Sequence, residues 1–194
     1  SSPLKNAFAK SINSIAVRLG QEMGIKRIIE TAKKMGIDSP LDDTPSLALG
    51  SSDVNLLEMA CAYSTISNNG KHHDPVLVTK IVDHDGKVVY EGPSTEEQVI
   101  PYKSAFLMQQ LLQGGMREPG GTSQSLWGYV GNYRDTEFGG KTGTTDEAGC
   151  CVILYSEDLE KNPYISIIMG AEDKSFLYQE MNRLLEAGET TKTE

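Results

Sequence analysis

The sequence predicts an α+β fold. Apolar residues recur at threes and fours through the first third of the chain, and an Asp85-Gly86 pair sits between two β-rich runs. Three short β-like runs near the C-terminal end are followed by one last amphipathic stretch. Helices, a hairpin, a helix, strands and a closing helix, in that order, argue for segregated α and β elements rather than alternating units.

Ser2 followed by Pro3 offers a capping hydroxyl and a proline at the first helical position, and Leu4, Ala7 and Phe8 then share one face. Ile15, Leu19 and Met23 carry a second helix over 14–23. Ile25, Ile28, Ile29, Ala32 and Met35 carry a third over 25–36, which Gly36 stops. Residues 38–52, rich in Pro, Ser, Asp and Gly, read as loop, and Asp53 is placed to cap an apolar helix over 54–66 that Asn68-Asn69-Gly70 ends. The runs 76–82 and 87–90 flank the Asp85-Gly86 turn as a peripheral antiparallel hairpin. A helix follows over 102–113, with Ala105, Met108, Leu111 and Leu112 on its apolar face, and the glycine-rich run 114–121 reads as loop. Strands are expected over 137–143, 151–155 and 164–169. A helix over 174–185 buries Phe176, Leu177, Met181, Leu184 and Leu185, leaving residues 188–194 as a frayed tail.

The 194 residues fit one domain or a piece of a larger one, and 38% hydrophobic with 23% charged residues is enough to build a packed core. The net charge is −9 and the basic residues are scattered, which excludes nucleic acid as a partner. No run approaches the roughly 18 apolar residues needed to cross a bilayer, and residues 1–20 lack the pattern of a signal peptide. A piece cut from a longer protein would leave its signal or anchor behind, so this does not fix a compartment. Cys61, Cys150 and Cys151 are too few and wrongly spaced for a zinc site or a disulfide framework and read as buried thiols. His72, His73 and His84, the last between Asp83 and Asp85, read as solvated loop residues rather than metal ligands.

The run Gly139-Gly140-Lys141-Thr142-Gly143-Thr144-Thr145 places one cation among small residues on an expected strand. Glycine on either side lets a ligand approach the backbone, Lys141 can meet a carboxylate as a point charge, and Thr142 can offer a hydroxyl. An open strand edge there can pair with an extended peptide. The order of Gly, Lys and Thr does not match a phosphate-binding loop. Upstream, Ser11-Ile12-Asn13 between two helical stretches can project a hydroxyl and an amide into one cleft, or can serve only as helix caps. Together, S-x-N well before K-T-G matches two of three elements found in serine β-lactamases and penicillin-binding proteins.

The resemblance extends beyond these motifs. Residues 5–19 are similar to the second-motif region of class A penicillin-binding proteins. So, in order, are Pro45-Ser46-Leu47-Ala48-Leu49-Gly50-Ser51, the helix with Glu58-Met59-Ala60 and Ala62-Tyr63, the Asn69-Gly70 turn and residues 83–89. Leu112-Gln113-Gly114-Gly115-Met116, Glu118-Pro119-Gly120-Gly121-Thr122-Ser123 and residues 138–145 complete a resemblance that covers residues 3–145. It implies part of the penicillin-binding protein and serine β-lactamase fold, an antiparallel sheet with helices packed on it. It implies a serine acyltransferase that binds the D-Ala-D-Ala end of a peptidoglycan stem peptide and is acylated by β-lactams. In that role Ser11 relays protons, Asn13 holds the substrate amide, Lys141 attracts the terminal carboxylate and Thr142 hydrogen-bonds it. Gly143 lies between them, and the backbone N–H of Thr144 supplies half of an oxyanion hole. No cofactor and no metal are implied. The parent protein would be anchored in the bacterial inner membrane, facing the cell wall, with a possible glycosyltransferase domain upstream.

The family's nucleophile lies in a Ser-x-x-Lys motif well upstream of S-x-N, and this chain starts too late to contain it. Residues 1–187 are therefore expected to be a truncated transpeptidase domain. Ser2-Pro3-Leu4-Lys5 fits the pattern literally, but only six positions separate Lys5 from Ser11, and Ser2 reads as a cap. A minimal carboxypeptidase or β-lactamase using Ser2 and Lys5, and a non-catalytic recognition module, are the alternatives. After Thr145 the run Asp146-Glu147-Ala148-Gly149-Cys150-Cys151 resembles D-alanyl-D-alanine carboxypeptidases, as does the rest of 146–187. That leaves the acylation step standing and opens the acceptor to amine or water.

Overall fold

A computed structural model describes residues 3–130, 137–157 and 162–190. Ser2, and with it the expected serine cap, lies outside the described residues, as do residues 191–194. The helices α1 (Leu4–Ala9), α2 (Asn13–Met23) and α3 (Ile25–Lys34) follow the apolar periodicity. A 3-10 turn over Pro45–Leu49 interrupts the loop before α4 (Leu56–Ser67). Two short strands, β1 (Lys71–His72) and β4 (Glu97–Gln98), bracket the hairpin of β2 (Lys80–Val82) and β3 (Val88–Glu91). After α5 (Tyr102–Arg117) come a second 3-10 turn over Gln124–Gly128, the strands β5 (Phe138–Thr145), β6 (Gly149–Glu157) and β7 (Pro163–Ala171), and α6 (Lys174–Thr190). The last helix runs past the expected end at 185 and takes in the start of the expected tail.

The sheet that carries the fold is antiparallel, in the order β5-β6-β7. On one face Phe138, Cys150, Val152 and Leu154 join Leu177, Tyr178, Met181 and Leu185 of α6 in the core. Strand alternation sends Gly139 and Lys141 to the other face, where a side chain at Gly139 would meet Leu112 of α5. The α+β expectation holds.

Three local readings need correction. The α5 helix does not end at 113 but continues through Gly114 and Gly115 to Arg117. Those glycines lie inside the helix rather than breaking it, with Gly115 facing the Gly140 carbonyl oxygen of β5 and Gly114 facing Ala9 and Lys5 of α1. The cap of α4 is Asn55, not Asp53. Asn55 Oδ1 accepts from the Glu58 amide at 3.0 Å while the Asn55 amide donates to the Glu58 carboxylate at 3.0 Å, a capping box that Asp53 is two residues too early to form. The hairpin turn is longer than two residues, because Asp83 Oδ1 accepts from the amides of both Asp85 and Lys87 and spreads the reversal over 83–87.

Glu58 does more than cap. Its carboxylate also accepts from the Asp38 and Ser39 amides and from Ser39 Oγ, at 2.7–2.9 Å, and so ties the 38–39 loop to α4. These donors, the Ser39 hydroxyl first, hold its carboxyl below the ordinary value of 4.5. The stabilisation is therefore present above that pH and lost as pH falls through the lowered value. Glu58→Gln is expected to melt at a lower temperature than the unsubstituted chain at pH 7. The difference should shrink at pH 3, as thermal melts at the two pH values would register.

Among the cysteines only Cys150 is buried. Cys151 is half-exposed because its cross-strand partner is Gly143, which has no side chain to cover it. His73 and His84 are exposed as expected, but His72 is not a solvated loop residue. Its Nδ1 lies 3.0 Å from Thr65 Oγ1, whose proton goes to the Cys61 carbonyl, so the imidazole donates and stitches β1 to α4.

Candidate active site

Two segments far apart in sequence meet at the end of β5. The first is the turn between α1 and α2. Ala7 and Ala9, almost fully buried, seat α1 on the molecule, and the Ser11 and Ile12 amides then donate to the Phe8 and Ala7 carbonyls. Ser11 sits at φ 52°, a left-handed conformation that costs a residue with a Cβ about 1 kcal/mol or more. The second segment is β5, whose far end, Gly143–Thr145, is exposed and is paired with β6 along one edge.

Between them, Lys141 Nζ donates to Ser11 Oγ at 2.5 Å and to the Thr142 carbonyl at 2.9 Å. Thr142 Oγ1 donates to Thr122 Oγ1 at 3.1 Å, and Thr144 Oγ1 makes a long contact of 3.7 Å with Cys150 Sγ. The structure thus joins Ser11, Lys141 and Thr142 in one hydrogen-bonded group. Asn13 lies exposed in the first turn of α2, and its side chain makes no hydrogen bond among the described residues; Gly143 is open, with none of the described residues within 4 Å of where a Cβ would stand. Lys5, the partner proposed for Ser2, is paired with Glu118 at 2.6 Å.

A family model described as the penicillin binding protein transpeptidase domain matches residues 1–152. The chain belongs to the penicillin-binding protein transpeptidase family. Penicillin-binding protein 2D of Bacillus subtilis is 34% identical to it over 179 residues, covering 89% of this chain and 26% of that protein. Penicillin-binding protein 1A of Clostridium acetobutylicum is 36% identical over 149 residues, 75% of this chain and 18% of that protein. The chain therefore spans about a quarter or less of the length of these relatives. A solved structure, the D,D-transpeptidase domain of a peptidoglycan glycosyltransferase from Eggerthella lenta, shares the fold with a TM-score of 0.73 at 20% identity, over 98% of this chain and 54% of that one. A match to 89% of the chain cannot end at residue 152, so the likeness to the Bacillus relative continues into 146–187.

In this transpeptidase-family chain the electrostatics centre on Lys141. It is half-buried, and no carboxylate among the described residues pairs with it. Burial pushes its pKa below the ordinary value of 10.5. An ammonium has three donors, and two are spent on neutral oxygens, so among the described residues the third N–H has no partner and the charge no counter-ion. The sequence places Thr122 in a stretch that resembles the family but assigns it no role. The signal that could have found it is the Gly120-Gly121-Thr122-Ser123 run, small residues around a hydroxyl in the manner of the Lys141 strand itself.

Proposed function

We propose that this chain is the part of a peptidoglycan D,D-transpeptidase that holds the acyl donor and relays its protons. The observation that carries the proposal is the 2.5 Å contact between Lys141 Nζ and Ser11 Oγ beside the open end of β5. A stem peptide laid along that edge puts its terminal carboxylate against Lys141 and Thr142, with Asn13 flanking its amide. A serine oxygen from a segment preceding Pro3 attacks the carbonyl of the penultimate D-Ala as its proton passes to the lysine of the same Ser-x-x-Lys motif, and the developing oxyanion takes a hydrogen bond from the Thr144 amide. The C–N bond breaks, and Ser11, hydrogen-bonded to Lys141, passes its proton to the departing D-Ala amine and takes in its place the one released by the attacking serine. An acceptor amine then attacks the acyl-enzyme, the new amide bond forms as the ester C–O bond breaks, and the proton that the amine gives up returns to the serine oxygen. β-Lactams enter by the same first step, and no cofactor takes part.

No helix among the described residues is long and apolar enough to cross a membrane. Peptidoglycan as substrate places the site on the extracytoplasmic face, on a parent protein anchored elsewhere in its chain, with a glycosyltransferase domain upstream. The test is intact mass and peptide mapping after incubation with benzylpenicillin, on the 194-residue chain and on the full-length gene product. We expect no adduct on the former and one adduct on the latter, on a serine upstream of Pro3 and outside this chain. An adduct on Ser2 would make the chain a self-contained enzyme, and no adduct on either would overturn the proposal.

A further inference from the structure

Thr122 is bonded to both halves of the site. Its backbone amide donates to the Ala9 carbonyl at 3.0 Å, two residues before Ser11, and its hydroxyl oxygen accepts from Thr142 Oγ1 at 3.1 Å. The residue itself has little freedom. Its carbonyl accepts from the Tyr178 hydroxyl of α6 at 3.4 Å, and the next amide, Ser123, donates to the Gly115 carbonyl of α5 at 3.1 Å. On its other side Gly121 lies so close to α5 that a Cβ would stand 2.3 Å from the Gly115 oxygen. The 118–123 loop is thus fixed to α1, α5 and α6, and Thr122 is the point at which it reaches β5.

From this geometry we infer that Thr122 is a positioning residue that aims the Thr142 hydroxyl and fixes the spacing of the Ser11 turn from the Lys141 strand. The inference rests on the function proposed above. In the unliganded chain the single Thr142 proton goes to Thr122. When a carboxylate arrives, Thr142 must turn that proton toward it, and its oxygen is then left to accept from the Thr122 hydroxyl. A hydroxyl at 122 serves both states, as acceptor and then as donor, and such chains strengthen each member. A methyl at that position serves neither.

The test compares Thr122→Val, Thr122→Ser, Thr142→Val and the Thr122→Val/Thr142→Val pair in the full-length gene product, by the second-order rate of acylation with benzylpenicillin and with its methyl ester, which lacks the carboxylate. We expect Thr122→Val to lower the rate with the acid about tenfold, and Thr122→Ser to stay within about twofold of wild type. The double variant should be no slower than Thr142→Val alone, because the two side chains act as one unit. With the ester the Thr122 variants should match wild type. A Thr122→Val rate equal to wild type, additive effects, or an equal loss with acid and ester would overturn the inference, the last marking a structural role only. Thermal melts well above the assay temperature show that each variant is folded. Wild-type protein that is not acylated at all would overturn the proposed function and this inference with it.

Discussion

Lys141→Ala in the full-length gene product is expected to lower the rate of acylation by benzylpenicillin by about 10²–10³-fold, the range for removing a single donor aimed at developing or bound negative charge. In the proposed function Lys141 supplies two things at once: the charge that a carboxylate ligand would meet, and the hydrogen bond that holds Ser11 Oγ. Loss of either slows acylation, so binding and chemistry should fall together. Lys141→Arg should not rescue, because a planar fork cannot place one donor on Ser11 and another on the Thr142 carbonyl from the same stem.

Stability should move the other way. A lysine whose folded pKa lies below its ordinary 10.5 costs native stability while it is charged in both states, and the cost fades as pH rises through the folded value. Lys141→Met removes the buried charge, so its melting temperature at pH 7 should equal or exceed that of the parent while labelling is lost. The parent should gain on the variant as pH rises toward 10.5. Labelling that survives Lys141→Ala would exclude this cation from the site.

How much of this was legible depends on whether the signal is local. The Lys141 strand was readable because a cation among glycines after Phe138 is unusual within a few residues, and the Ser11 turn because it breaks two helical periods. Their 130-residue separation hides the contact itself, which only the fold creates. Gly114 and Gly115 were misread because a glycine that breaks a helix and one that a helix carries in its interior look alike in sequence. Asn55 lost to Asp53 because either can cap, and the Glu58 amide decides between them. Thr122, quoted only as part of the resemblance, received no role because its partners, Ala9 and Thr142, are supplied by other elements.

Gly140→Val is expected to cost about 3 kcal/mol, or roughly 6–12 °C in melting temperature for a chain of this size, and to abolish labelling. A Cβ at Gly140 would stand 2.2 Å from the Ile153 carbonyl oxygen and 2.7 Å from Leu154 Cδ2. The first is backbone of the β5–β6 ladder and cannot rotate away. Nor can β5 retreat, since on its other face Gly139 already lies against Leu112 and Gln113 of α5. The strand must therefore shift along or away from β6, and Lys141, the next residue, moves off Ser11. Gly143→Ala separates the two consequences. None of the described residues lies within 4 Å of its Cβ, so melting should stay within about 0.5 kcal/mol of the parent. The added methyl stands on the open strand where a ligand backbone would lie, so acylation should still fall. If Gly143→Ala melted as low as Gly140→Val, the glycines of this strand would serve folding alone. If it melted normally and labelled normally, the open end of β5 would not be where the ligand lies.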